Sequence, residues 1–147
     1  MYLSNFVYTL KELLIENGIT QSELAERLNT EPSTISKYLK EKQYPDIEMA
    51  VKIADYFGCS LDFLFLLKDR KSNEHFHECP PFNERFLYLL DSFHISRYKL
   101  QQKTNISKSA MYYWQIGKTN PTMDSIIKLA KYFDCSIDFI LGRVDFD

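Results

Sequence analysis

The chain repeats itself once, and the repeat limits what it can fold into. A shift of 76 residues aligns residues 6–66 with residues 82–142 without a gap. Of these 61 pairs, 17 are identical, and others keep their character, as in Leu61/Ile137, Ile53/Leu129 and Tyr38/Trp114. The stretch Tyr56-Phe57-Gly58-Cys59-Ser60-Leu61-Asp62-Phe63 returns as Tyr132-Phe133-Asp134-Cys135-Ser136-Ile137-Asp138-Phe139. Repeat arrays need about three or more units before stacking buries a continuous core. Two units in 147 residues are better read as two complete small domains. The expected division is a first domain at 1–67, a linker at 68–81 and a second domain at 82–147.

Within each unit the apolar residues recur at helical spacing, and no segment alternates with a period of two. Phe6, Leu10, Leu13 and Leu14 form one face of a first helix, with Phe82, Phe86, Leu89 and Leu90 as its counterpart. Gly18 is a natural stop. Thr20-Gln21-Ser22-Glu23 has the form of a capping box, in which a hydroxyl and a carboxylate satisfy each other's end of the helix. A second helix therefore begins near Gln21 and buries Leu24, Ala25 and Leu28. Pro32 suits the first position of a third helix, because its missing N–H would have had no partner there. That helix spans roughly 32–40 and buries Ile35 and Tyr38. Pro45-Asp46 opens a fourth helix with Ile47, Val51, Ala54 and Phe57 inward, and Ser60 caps a short fifth with Leu61 and Leu64 inward. In the second unit Ser96, Ser107, Thr122 and Ser136 are the expected caps. The fold class is all-α, as two tandem five-helix domains.

Residues 68–81 read KDRKSNEHFHECPP, polar and closed by two prolines, which disfavour helix in the residue before them. The segment His75-x-His77-x-Cys79 offers three metal-ligand types without a fourth, and a polar linker is the reading adopted. No metal or other cofactor is expected. Cys59, Cys79 and Cys135 are odd in number and widely spaced, against a disulfide framework. Cys59 and Cys135 are expected as small buried residues near a helix end. No apolar run approaches the roughly 20 residues that span a bilayer, and residues 1–11 lack a signal-peptide layout. A soluble cytoplasmic protein without a membrane partner is expected.

Two short helices joined by a tight turn, second and third in a bundle, match the helix-turn-helix that places a reading helix in the major groove. Such a unit needs outward side chains on the third helix, amides facing a phosphate at the start of the second, and nearby cations. In the first unit Ser33, Thr34 and Lys37 lie away from Ile35 and Tyr38, Gln21 starts the second helix, and Lys40 and Lys42 follow the third. In the second, Lys108, Ser109, Tyr112 and Tyr113 point outward, and Arg97 starts the second helix with Lys99, Lys103 and Lys118 near it. The formal net charge is −2, so phosphate must be met by a local patch. Residues 1–70 hold 8 basic and 11 acidic residues, a net of −3, and residues 71–147 hold 10 and 9, a net of +1.

These residues resemble the lambda-repressor-like family of the Cro/XRE type. The resemblance is carried by Thr20-Gln21-x-x-Leu24-Ala25-x-x-Leu28, Ser33-Thr34-Ile35-Ser36-Lys37-Tyr38 and Lys42-x-x-Pro45. In the second unit it is carried by Leu100, Lys103-Thr104-Asn105-Ile106-Ser107, Tyr113-Trp114, Gly117-Lys118-Thr119-Asn120-Pro121 and residues 136–142. It implies double-stranded DNA as the partner and transcriptional regulation as the function. It implies phosphate contacts from Gln21, Arg97, Lys42 and Lys118. It implies base reading from Pro32, Ser33 and Lys37 and from Lys108, Ser109 and Tyr113.

The sequence also departs from the family pattern. Glu31 stands where a small N-cap is usual, and its charge would face phosphates. Pro32 cannot hydrogen-bond a base edge. The family's glutamate after the third-helix aromatic is Leu39 in one unit and Gln115 in the other. Its glycine is Glu41 in the first unit and is kept as Gly117 in the second, and Gln101 replaces Ala25. Two arrangements follow: one chain spanning adjacent half-sites, or a homodimer of chains. In a third, the first unit serves dimerisation or a protein partner and only the second binds DNA. No paired catalytic set, phosphate-binding glycine loop or small-molecule substrate site is present, so the protein is not expected to be an enzyme.

Overall fold

The structure is a computed structural model that describes residues 2–66, 68 and 75–145. The chain divides into two compact units, residues 1–74 and 75–147. Among the described residues each unit has five helices and no strand. None is long and apolar enough to cross a membrane.

The first unit comprises α1 (Tyr2–Asn17), α2 (Gln21–Arg27), α3 (Pro32–Leu39), α4 (Ile47–Phe57) and α5 (Leu61–Leu66). Phe6, Leu10, Leu13 and Leu14 are buried on α1, as their spacing requires. Phe6 stacks on Phe65 with ring centroids 5.1 Å apart and meets the edge of Tyr38 at 5.9 Å. One aromatic thus joins α1, α3 and α5. Full burial of a side chain this size contributes about 1.5–3 kcal/mol. The capping box forms as expected: Thr20 Oγ1 accepts from the Glu23 N–H, and Glu23 Oε1 accepts from the Thr20 N–H.

The expectation for α4 needs correction. Its buried face is Ala50, Ile53 and Ala54, whereas Ile47, Val51 and Phe57 are only half-buried. The helix turns its small alanines toward the core, where least side chain stands in the way of close approach.

The second unit comprises α6 (Phe82–Ser92), α7 (Arg97–Thr104), α8 (Lys108–Gln115), α9 (Met123–Phe133) and α10 (Ile137–Leu141). Phe82, Phe86 and Leu89 are buried on α6, while Leu90 is half-buried. Trp114 meets the edges of Phe82 and Phe86 at 5.8 and 5.5 Å. The hydroxyls of Ser96, Ser107, Thr122 and Ser136 all accept the expected N-terminal amides. Cys59 is buried, but Cys135 is only half-buried.

The two copies share a backbone signature. Left-handed residues occur at Gly18, Asn29, Glu41 and Gly58, and again 76 positions on at His94, Asn105, Gly117 and Asp134. Each ends a helix in its unit. Only the asparagines are shared, so a glycine in one copy often faces a residue with a Cβ in the other.

Part of the expected linker is instead built into the second unit. The His77 N–H donates to the Arg143 carbonyl at 2.7 Å, and His77 Nε2 lies 3.0 Å from Asp145 Oδ1. The Phe76 ring lies 4.1 Å from the Arg143 guanidinium, which is buried and paired with Asp138. Pro80 packs on Gly142, where a Cβ would come within 2.8 Å of its Cδ. Two aromatic or ring contacts and a buried cation hold this segment as a strap, and the polar letters around it gave no hint of that. His75 and His77 meet edge to face at 5.9 Å, and among the described residues no three candidate ligands converge on one point. Residues 69–74 of the expected linker lie outside the described residues.

Candidate nucleic-acid interface

In the second unit, Met111 and Trp114 anchor α8 in the core, which turns Lys108, Ser109, Tyr112 and Tyr113 to solvent. Arg97, the first residue of α7, donates from Nη1 to Gln115 Oε1 at 2.9 Å. Its guanidinium lies 5.6 Å from the Tyr112 ring. Arg97, Lys108, Ser109 and Tyr112 line one open depression of about 290 Å³. Tyr112 leans on Tyr113 at 5.7 Å, and Lys118 Nζ sits 4.9 Å from the Tyr113 ring. Four of the six sequence-derived residues are thus linked by contacts from Arg97 through Tyr112 and Tyr113 to Lys118, and the other two, Lys108 and Ser109, lie beside Arg97 in the depression. Exposed cation–π contacts contribute about 0.5–1 kcal/mol each. They orient the cations and leave their charge intact.

The charge pattern around this face is one-sided. Residues 92–123 contain no aspartate or glutamate, but they contain Arg97, Lys99, Lys103, Lys108 and Lys118. From 96 to 118 the net charge is therefore +5. The amides at the start of α7 add the positive end of the helix dipole to the same region.

The matching face of the first unit is weaker. Residues 20–42 hold Arg27, Lys37, Lys40 and Lys42 against Glu23, Glu26, Glu31 and Glu41, a net of zero. Gln21, Ser33, Lys37 and Lys42 are exposed as expected, but Thr34 is half-buried and turns less outward than its spacing suggested. The Lys42 N–H donates to the Lys37 carbonyl at 2.9 Å, which fixes where Lys42 leaves the helix. Glu31 occupies the N-cap of α3 with no side-chain capping bond, so this helix start gains a negative residue that satisfies none of its amides. Glu41 takes the left-handed turn after α3 with φ 58°, and its Oε1 accepts from Ser4 Oγ at 2.7 Å.

Two participants escaped the sequence reading as parts of this surface. Gln115 was seen only as a departure from a family glutamate, yet it holds Arg97 from 18 positions away. Ser4 holds Glu41 from 37 positions away. Local spacing carries no signal for either pair. Gln101 is half-buried where Ala25 is fully buried.

Comparison with known proteins agrees with this geometry. A helix-turn-helix family model matches residues 10–64. The Cro/C1-type HTH DNA-binding domain model matches residues 85–145. An uncharacterized HTH-type transcriptional regulator of Methanocaldococcus jannaschii is 34% identical over 53 residues, covering 36% of this chain and 80% of that protein. The chain belongs to the Cro/C1-type helix-turn-helix family. Other relatives in this family include the HTH-type transcriptional regulator ImmR of Bacillus subtilis, 35% identical over 45% of this chain. Repressor protein CI of Enterobacteria phage phi80 is 37% identical over 42% of this chain. The match spans 51% of the length of the former and 26% of the latter. No solved structure matches the chain. The family match covers both helix-turn-helix units, so the repeat is a repeat of this family's fold.

Proposed function

We propose that this protein is a sequence-specific, double-stranded-DNA-binding transcriptional regulator of bacterial or phage type, and that its second unit supplies most of the grip on phosphate. The observation that carries this reading is the acid-free stretch of residues 92–123, whose five cations lie on and around a helix-turn-helix. Arg97 and Lys118, at its two ends, contact phosphates. Lys108, Ser109, Tyr112 and Tyr113 face the base edges of the major groove. In the first unit Gln21 and Lys42 contact phosphate, and Ser33 and Lys37, with Thr34 at the margin, face bases. Glu31 opposes that contact. The regulators and the repressor among the relatives support a regulatory role, and none of the residues on this surface forms a catalytic set.

Each phosphate contact that is lost lowers the steepness of log K against log salt by about 0.9 for duplex DNA. Arg97→Glu and Lys108→Glu should therefore weaken binding to any duplex, and Arg97→Glu should also flatten the salt dependence. Binding as tight as the parent's, with the parent's salt slope, would overturn the assignment of this surface.

A further inference from the structure

The two units share a frame and differ in what the frame presents. The left-handed residues recur at a spacing of 76. So do the hydroxyl caps Thr20/Ser96 and Ser60/Ser136, and the buried anchors Ile35/Met111 and Tyr38/Trp114. Helices α3 and α8 are both eight residues long and start at the matched residues Pro32 and Lys108. Within each unit, then, the reading helix is mounted the same way. Of the four matched positions whose α8 residue is exposed, only Ser33/Ser109 is the same residue. The others are Pro32/Lys108, Ser36/Tyr112 and Lys37/Tyr113.

These differences change the chemistry offered to a major groove. A lysine pairs with the O6 and N7 acceptors of guanine, while an apolar surface favours the methyl group of thymine. In α3 the lysine is the sixth residue, whereas in α8 it is the first. Five residues at 1.5 Å of rise move the ammonium roughly 7.5 Å along the helix, about two base-pair steps. Where α3 has Lys37 and the half-buried Ser36, α8 presents two tyrosine rings. Those rings are held by Arg97 on one side and Lys118 on the other, so they stand ready as a broad apolar surface. The first position of α3 is a proline, which has no polar group to offer.

We infer that the two units read different base sequences, so that the operator of this chain is built from two unlike half-sites. The second unit's half-site has a guanine at the Lys108 end followed by thymine against Tyr112 and Tyr113. The first unit's half-site has its guanine at the opposite, Lys37 end. This rests on the proposed DNA-binding function and specifies its ligand.

The test is selection of bound duplexes from a random-sequence pool with the full chain, followed by affinity measurements on the selected operator and on two symmetrised versions carrying one block twice. The expected result is two unlike blocks, present once or in mirrored copies, with each symmetrised duplex bound about tenfold or more weakly, as one good base contact is worth. In the variant carrying Lys108→Pro, Tyr112→Ser and Tyr113→Lys, all at solvent-facing positions, the two selected blocks should become alike. One block repeated, a single block, or a symmetrised duplex bound as tightly as the selected one would overturn the inference and leave DNA binding standing. Enrichment of no sequence at all would overturn both. If the triple variant fails to fold, the symmetrised duplexes with the parent protein still decide.

Discussion

Arg97 and Gln115 are joined by a hydrogen bond of 2.9 Å that ties the first residue of α7 to the last residue of α8. The acceptor is a neutral amide, so the guanidinium is positioned without losing its charge. Leu39 stands at the matched place in the first unit and has no acceptor to offer. A glutamate at 115 would keep the shape and supply a carboxylate. Gln115→Glu should leave folding stability within about 1 kcal/mol of the parent, since partly exposed ion pairs contribute little. It should weaken DNA binding and flatten the salt slope by about 0.9, as if one phosphate contact were cancelled. A salt titration of both proteins on one duplex checks this, and an unchanged slope would show that Arg97 does not face phosphate.

The strap before α6 makes a second prediction. Phe76 covers the guanidinium of the fully buried Arg143, which pairs with Asp138. A cation with an aromatic face on one side and a carboxylate on the other is costly to strip. Phe76→Ala should destabilise the second unit by about 1–2 kcal/mol. Asp138→Ala, which takes a carboxylate away from a buried guanidinium, should cost about 3–5 kcal/mol. The chain has one tryptophan, and Trp114 is buried in the second unit, so its fluorescence in a denaturant titration reports that unit. If residues 75–81 were only a tether, the Phe76→Ala transition would coincide with the parent's.

These two sites also show what the sequence could and could not disclose. Helix starts were legible because a cap such as Ser96 or Thr20 acts on an amide three residues away. Core faces were legible because Leu10, Leu13 and Leu14 share a stripe whatever packs on them. The outward face of α8 was legible through the repeat, because Trp114 stands where Tyr38 faces inward. Arg143 was not legible, because a lone arginine after a final helix reads as solvated until Asp138 and Phe76 close on it. Phe76 itself lies among polar residues that read as linker. The buried face of α4 departs from its apolar stripe for a related reason. Periodicity marks which residues are apolar, while the approach of the neighbouring helices decides which side of the stripe is covered.

The left-handed positions yield a prediction about stability rather than binding. An L residue with a Cβ in this conformation costs roughly 1–2 kcal/mol, and glycine's larger chain entropy offsets part of that gain. His94 has φ 51° where the first unit has Gly18. His94→Gly should stabilise the second unit by up to about 1 kcal/mol, read from the Trp114 transition. The reverse change, Gly18→Ala, meets no atom within 4 Å. Its cost should be the backbone term alone, about 1 kcal/mol, read from far-ultraviolet dichroism. Gly142→Ala should cost more than either, because its Cβ would press on Pro80 at 2.8 Å. Equal costs for Gly18→Ala and Gly142→Ala would mean that the strap yields freely.

The core aromatics separate the two units by their response to alkali. Burial first, and Asp46 second, push the Tyr38 hydroxyl up from 10.0 to about 12, and only 1% of the residue is exposed. Its counterpart Trp114 has no group that ionises in this range. Below pH 10 Tyr38 keeps its proton in both folded and unfolded chains, so its contribution to stability is complete there. Above pH 10 the unfolded chain releases the proton first, and the folded unit is progressively disfavoured until about pH 12. Two pH units correspond to about 2–3 kcal/mol. The first unit should therefore lose stability between pH 10 and 12 while the Trp114 transition of the second moves less. Every other ionisable group is common to the parent and to Tyr38→Phe, so the difference between those two proteins isolates Tyr38. Denaturant titrations at pH 9 and pH 11.5 should show the gap between them closing or reversing at the higher pH. A gap that stays constant would mean that Tyr38 is reached by water in the folded unit, and would place its ring at the surface of the core rather than within it.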